Sequence, residues 1–277
     1  MKPKQTPLIQ ATELLQLASS PNLVLIDATN GKNAHENYTQ KHLAGALFVD
    51  LDTQLADIKA DVSQGGRHPL PTLAQFSETL VKLGISPQSH VVVYDDKSGA
   101  NAAARFWWML LAIGHSRVQV LDGGIQAAER AGFPMSAALE QPKECLPYPI
   151  HGWQLPQADM AEVEQVAQDP NYLVVDVRDH DRYLGLVEPI DLIAGHIHGA
   201  INIPFSENLD VNGLFKSSAE LKAMYQEAFA ERPADHLIVH CGSGVTACHT
   251  LLAVVQAGLE MPKLYVGSWS EWSRNKC

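Results

Sequence analysis

The sequence predicts an α/β fold present twice, each copy a parallel sheet covered by helices on both faces. Three observations carry this expectation. Short, wholly apolar runs read as buried strands, amphipathic helical stretches lie between them, and an ordered set of internal matches divides the chain in two.

The matches come first. Leu23–Asp27 is an apolar run ending in an acid, and Leu173–Asp176 repeats it. His42-Leu43-Ala44-Gly45-Ala46 is echoed by His196-Ile197-His198-Gly199-Ala200, and His90–Tyr94 by His236–His240. Leu121-Asp122-Gly123-Gly124 corresponds to Tyr265-Val266-Gly267-Ser268. The offsets run only from 144 residues (Gly123 to Gly267) to 154 (His42 to His196), in one order along the chain. The chain reads as a duplication.

In the second half, Ala219 to Ala230 has helical spacing through Leu221, Met224, Tyr225, Ala228 and Phe229. Leu237 to His240 is then a buried strand and Val245 to Gln256 a second helix. Lys263 to Val266 closes the sheet, followed by a short helix over Ser268 to Trp272. Between the halves lie Pro134, Pro142, Pro147, Pro149 and Pro156, a composition that continues neither helix nor central strand. The expected organisation is an N-terminal domain over 1–134, an extended linker over 135–157 and a C-terminal domain over 158–277.

The 277 residues are 46% hydrophobic and 18% charged, the composition of a globular protein. Nothing approaches the run of about 18 apolar residues that a membrane span needs. The N-terminal stretch lacks the apolar centre of a secretion signal, so the expected location is the cytoplasm, with no membrane partner. A net charge of −11 argues against nucleic acid, whose phosphates need clustered Lys and Arg. It also requires that an anionic substrate be held by local donors against the overall field. The four cysteines, Cys145, Cys241, Cys248 and Cys277, have no C-x-x-C spacing and form no disulfide framework. Cys145 and Cys248 read as small buried hydrophobes.

Cys241 is different. In open α/β sheets ligands sit outside the carboxyl ends of the strands. There the second half reads Cys241-Gly242-Ser243-Gly244-Val245-Thr246, directly after a strand and before a helix. Glycines let the backbone curl so that successive N–H groups face one point, and the helix N-terminus adds positive potential there. A thiolate at that point is stabilised and becomes a nucleophile; a small Cys in a tight turn is the plainer alternative. The first half decides between them, because it places Asp95 where Cys241 stands. A turn that needed only a small apolar residue would not accept aspartate, so the C-terminal domain is expected to be catalytic and the N-terminal domain not.

The loop from Cys241 to Ala247 resembles the active-site loop of 3-mercaptopyruvate sulfurtransferases, within the rhodanese superfamily. Asp176-Val177-Arg178, Arg182-Tyr183-Leu184-Gly185, Gly195 to Ala200 and the closing Gly267 to Trp272 are similar to other motifs of that family. The resemblance covers nearly the whole chain. It implies two tandem rhodanese-like domains and a ping-pong reaction. Cys241 takes sulfur as a persulfide held by Gly242 to Thr246, pyruvate leaves, and a thiol (thioredoxin or a small thiol) or cyanide removes the sulfur. No cofactor and no metal are implied.

The resemblance also assigns side chains. Arg182 matches the arginine that holds the substrate carboxylate, a task suited to a guanidinium that bonds both oxygens. Arg178 is expected to be structural. A second family arginine follows Glu-Pro, but this chain reads Glu188-Pro189-Ile190-Asp191 and lacks it. Ser243, His68 and Asp52 match a serine-protease-like set that relays a proton, with Asp50 as an alternative to Asp52.

Thiosulfate-preferring rhodaneses carry Arg then Lys after the cysteine, where this chain has Gly242 and Ser243. A neutral loop suits a monocarboxylate better than dianionic thiosulfate, which stays as the alternative donor. Cysteine phosphatases use a similar loop but need an arginine after five further residues, and this chain offers Ala247. A non-enzymatic rhodanese-like module is marked by loss of the cysteine, which fits the first half and not the second.

Overall fold

A computed structural model describes residues 5–276. The chain forms two compact units. One comprises the residues up to Ala56, Pro71–Gln154 and Asn212–Leu214; the other comprises Asp57–Leu70, Leu155–Val211 and the residues from Phe215 onward.

The first unit runs β1 (Leu8–Ile9), α1 (Ala11–Leu17), β2 (Leu23–Asp27), α2 (Ala34–Gln40), β3 (His42–Leu43), β4 (Ala46–Phe48) and α3 (Leu51–Gln54). It continues through α4 (Leu73–Lys82), β5 (His90–Tyr94), α5 (Ala103–Ala112), β6 (Val118–Leu121), α6 (Gly124–Arg130) and β7 (Met135–Ser136). Five strands form a wholly parallel sheet in the order β1-β6-β5-β2-β4, while β3 and β7 make a separate antiparallel pair. All five residues of β5 are buried, as a central strand covered on both faces must be.

The second unit repeats the plan. It holds β8 (Gln157–Ala158), α7 (Met160–Val166), β9 (Leu173–Asp176), α8 (His180–Tyr183), β10 (Ile201–Asn202), α9 (Ser218–Phe229) and β11 (Leu237–His240). Then come α10 (Ala247–Gln256), β12 (Lys263–Tyr265) and α11 (Ser268–Lys276). Its parallel sheet has the order β10-β9-β11-β12-β8, the first sheet's order strand for strand. Each sheet seals its own apolar cluster, around Leu14, Leu25, Val92 and Leu121 in one unit and Val163, Val174, Ile238 and Trp269 in the other.

A small device confirms the duplication at the level of side chains. Tyr38 stacks on His42 with ring centroids 4.1 Å apart, and Tyr183 stacks on His196 at 4.0 Å. Each tyrosine hydroxyl donates to the alanine carbonyl that ends the matched motif, Ala46 at 2.8 Å and Ala200 at 2.7 Å. The repeated histidines are thus structural.

The segment from 137 to 156 contains no helix or strand, as its prolines require. Two helix boundaries differ from the expected ones by more than one residue. α10 begins at Ala247 rather than Val245, because Gly244 sits at φ +73°, outside helical space. α11 runs on to Lys276 rather than stopping at Trp272, since Ser273 is buried and its polar flanks continue the helical face.

Candidate active site

β11 and β9 pair in register, with His240 opposite Asp176, so the next residue, Cys241, emerges at the carboxyl edge of the sheet. Cys241 is buried, 3% exposed. Its backbone is pinned on both sides: its N–H donates to Ser268 Oγ at 3.2 Å, and its carbonyl accepts from the Trp269 N–H at 3.0 Å. The Gly242 carbonyl accepts from the Ser270 N–H at 2.9 Å. The N-terminus of α11 therefore holds the start of the loop. Gly244 closes the turn where a Cβ would lie 2.5 Å from the Val266 carbonyl oxygen, so no other residue fits. Among the described residues, the backbone N–H groups of Gly242, Ser243, Val245 and Thr246 make no hydrogen bond to protein.

The corresponding loop of the first unit has the same origin. Asp27 on β2 lies opposite Tyr94 on β5, and Asp95 follows. The Asp95 carboxylate is fully buried and takes four backbone N–H groups: Lys97 at 2.9 Å and Gly99 at 2.8 Å on Oδ1, Asn101 at 3.0 Å and Ala103 at 3.2 Å on Oδ2. Burial pushes its pKa up to about 6, against the opposing pull of those N–H groups. This loop is a ring of amides closed around a negative charge that the chain itself supplies.

Ser268 was not singled out by sequence reasoning, although it sits in the closing motif. It occupies φ +54°, where its counterpart Gly124 has φ +58°. A Cβ on Gly124 would meet the Asp95 carbonyl oxygen at 2.3 Å. In the second unit the place admits a serine, whose hydroxyl accepts the Cys241 N–H and donates to the Tyr265 carbonyl at 2.8 Å.

Residues 57–70 belong to the second unit and bring two further side chains to the loop. The segment is tied to α11 by the Gly65 N–H on Glu271 Oε1 (2.9 Å) and the Arg67 N–H on Ser270 Oγ (3.0 Å). His68 Nδ1 then lies 2.7 Å from Ser243 Oγ. Asp52 is carried by α3 of the first unit. Asp50, the alternative to it, is committed to capping that helix, accepting from the Thr53 N–H at 2.8 Å and the Thr53 hydroxyl at 2.7 Å.

The arginines sort themselves by burial. Arg178 is 3% exposed, bonds Asp176 at 2.6 Å and the Gly195 carbonyl at 2.7 Å, and lies over the Trp269 ring at 4.9 Å; it is structural. Arg182 is less buried and is braced by Glu188 at 2.7 Å. Burial alone would raise the Glu188 carboxyl, but Arg182 and the N–H groups of Asp191 and Ile190 outweigh it and hold its pKa below the usual value. Arg67 sits beside Arg182, its Nε 3.1 Å from Asp191 Oδ1. Sequence reasoning missed Arg67 and Asp191, because their meeting depends on the docking of residues 57–70.

Cys145 is half-buried and Cys248 fully buried, its thiol donating to the Gly244 carbonyl at 3.4 Å; Cys277 lies outside the described residues. Among the described residues no three His, Cys, Asp or Glu side chains are grouped to hold a metal ion. No helix of the described residues is long and apolar enough to cross a membrane.

Chemically, this is a buried free cysteine on a turn with unpaired amides, a Ser–His pair beside it and two guanidinium groups alongside. Known proteins share the arrangement's frame. The chain is 38% identical to the probable 3-mercaptopyruvate sulfurtransferase of Pseudomonas aeruginosa, over 96% of this chain and 94% of that one. It is 35% identical to the thiosulfate sulfurtransferase of Rattus norvegicus, over 92% of this chain and 86% of that one. Among solved structures it matches SseA from Escherichia coli, described as a 3-mercaptopyruvate sulfotransferase, with a TM-score of 0.77 and 28% identity, covering 96% of this chain and 100% of that one. The rhodanese-like domain matches twice, over residues 10–131 and 159–275, and the chain belongs to that family as a tandem of two such domains.

Proposed function

We propose that this protein is a sulfurtransferase that moves sulfur from 3-mercaptopyruvate to a thiol acceptor or cyanide through a persulfide on Cys241. The observation that carries the proposal is the Asp95 loop. The loop that leaves the matched strand, in the same fold and at the same register, closes four N–H groups on a carboxylate in one unit. In the other it presents a cysteine and four loop N–H groups without protein acceptors. An amide ring that stabilises a carboxylate stabilises a thiolate and a terminal persulfide anion by the same means.

In the first half-reaction the Cys241 thiolate attacks the donor's sulfur, forming an S–S bond as the carbon–sulfur bond breaks. The bonding pair leaves with carbon as the enolate of pyruvate, which takes a proton. Ser243, bonded to His68, is the group placed to deliver it, and Arg182 holds the donor's carboxylate. In the second half-reaction the acceptor thiolate attacks the outer sulfur. It departs with that atom and returns Cys241 as thiolate; cyanide gives thiocyanate by the same displacement.

Thiosulfate is the rival donor, because relatives with either name stand at 38% and 35% identity. The neutral pair Gly242-Ser243 favours the monocarboxylate. Steady-state rates with both donors, followed as pyruvate and as thiocyanate, decide the matter. The proposal expects the higher specificity constant for mercaptopyruvate, and a higher one for thiosulfate would reverse it.

A further inference from the structure

We propose that Arg67 is a specificity-determining residue of this site, pairing with Arg182 as a two-guanidinium seat for the donor, and that Asp191 sets the charge of that seat. The inference rests on the persulfide reading above. A Cβ built on Gly242, the residue after the nucleophile, would lie 3.0 Å from Arg67 Nη2 and 3.5 Å from Arg182 Nη2. Two guanidinium groups from segments more than a hundred residues apart therefore converge beside the same backbone atom.

Both are held by the same edge. Arg67 presents Nε and Nη2 to Asp191 at 3.1 and 3.4 Å, and Arg182 presents Nε and Nη2 to Glu188 at 3.3 and 2.7 Å. Each guanidinium carries five N–H donors in a flat fork, so a side-on grip leaves the Nη1 edge for an external anion. Asp191, whose side chain is 0% exposed, also lies 3.5 Å from Arg182 and 3.3 Å from Arg274. One buried carboxylate thus fixes the spacing of both seat arginines.

The charge of the cluster can be counted. Arg67, Arg178, Arg182 and Arg274 face Asp176, Glu188 and Asp191 through linked ion pairs, which leaves one positive charge in excess. A surplus of one matches a donor with a single carboxylate. A dianion such as thiosulfate would keep one of its charges unmatched beside guanidinium side chains that are 23% and 13% exposed. The cation missing after Glu188-Pro189 is supplied by Arg67, and position 191 carries the balancing acid instead.

The test uses the full-length protein with cyanide as acceptor and the two donors in turn. Arg67→Gln removes the surplus charge. It is expected to raise KM for mercaptopyruvate roughly tenfold to a hundredfold, as loss of a charge-assisted contact does, with kcat changed about threefold or less. Arg67→Leu is a second uncharged variant at this half-buried position. Asp191→Asn raises the surplus to two and is expected to increase the thiosulfate-to-mercaptopyruvate ratio of specificity constants about tenfold or more. Arg67 variants that keep both KM values within about twofold of wild type, while mercaptopyruvate still adds sulfur to Cys241, overturn the seat and leave the persulfide reading standing. No sulfur on Cys241 of the wild-type protein with either donor overturns that reading, and the seat falls with it.

Discussion

Asp95 and Cys241 occupy one point of a fold used twice. Each follows the strand residue paired with the acid that ends the neighbouring strand, Tyr94 with Asp27 and His240 with Asp176. In the first unit the amide ring is filled by its own carboxylate. In the second the same position carries sulfur. The N–H groups that would face an external anion in the first unit are already taken by Asp95.

Removing that internal anion leaves buried donors unpaired. Asp95→Ala is expected to destabilise the protein by about 2–4 kcal/mol, the range for breaking a buried hydrogen-bonded network. Urea unfolding followed by circular dichroism measures the loss. The sulfur-transfer rate of the folded protein should stay at the wild-type level, because Asp95 lies in the other unit from Cys241.

Ser268 holds the backbone of Cys241 from a costly conformation. Ser268→Ala keeps φ near +54° and deletes the acceptor of the Cys241 N–H, an expected loss of about 1–3 kcal/mol. Ser268→Gly deletes the same acceptor but relieves about 1 kcal/mol of left-handed strain. Thermal unfolding should rank wild type above Gly and Gly above Ala, while both variants form the persulfide more slowly.

Under the proposed mechanism, His68 and Ser243, 2.7 Å apart, act on the leaving group rather than on sulfur. An enolate needs a proton, whereas sulfite leaves as a stable anion. His68→Gln is expected to lower kcat with mercaptopyruvate on the order of a hundredfold, the usual worth of general acid–base assistance, and to leave the thiosulfate rate within about threefold. Equal losses with both donors would assign the pair a structural role.

His115 provides a pH test remote from the loop. It is 2% exposed, its Nδ1 lies 2.8 Å from the Tyr148 hydroxyl, and burial lowers its pKa from 6.5 to about 4. The unfolded chain takes up a proton that the folded one refuses between these values. Its contribution is complete above pH 6.5 and is lost as the pH falls toward 4, up to about 3 kcal/mol. Urea midpoints from pH 7 to pH 4 should fall less steeply for His115→Asn than for wild type.

The parts of this molecule that a sequence displays are those written in contiguous residues. β5 and β11 are runs of buried apolar side chains, and the loop after each is read by comparing Asp95 with Cys241. Arg178 was legible as structural because its partner Asp176 is two residues away. Arg67 was not, since its place beside Gly242 depends on Gly65 and Arg67 hydrogen-bonding to Glu271 and Ser270, about 200 residues downstream. Ser268 escaped notice because its contribution comes from an unusual φ that no side chain announces. Asp50 looked interchangeable with Asp52 in the sequence and proves to be a helix cap.

The most direct measurement is mass spectrometry of the protein after exposure to 3-mercaptopyruvate without acceptor. One added sulfur on the peptide containing Cys241, removed by cyanide and absent in Cys241→Ser, is the predicted result. Sulfur on the Cys248 position instead, or an unmodified Cys241 in protein that still releases pyruvate, would contradict the account.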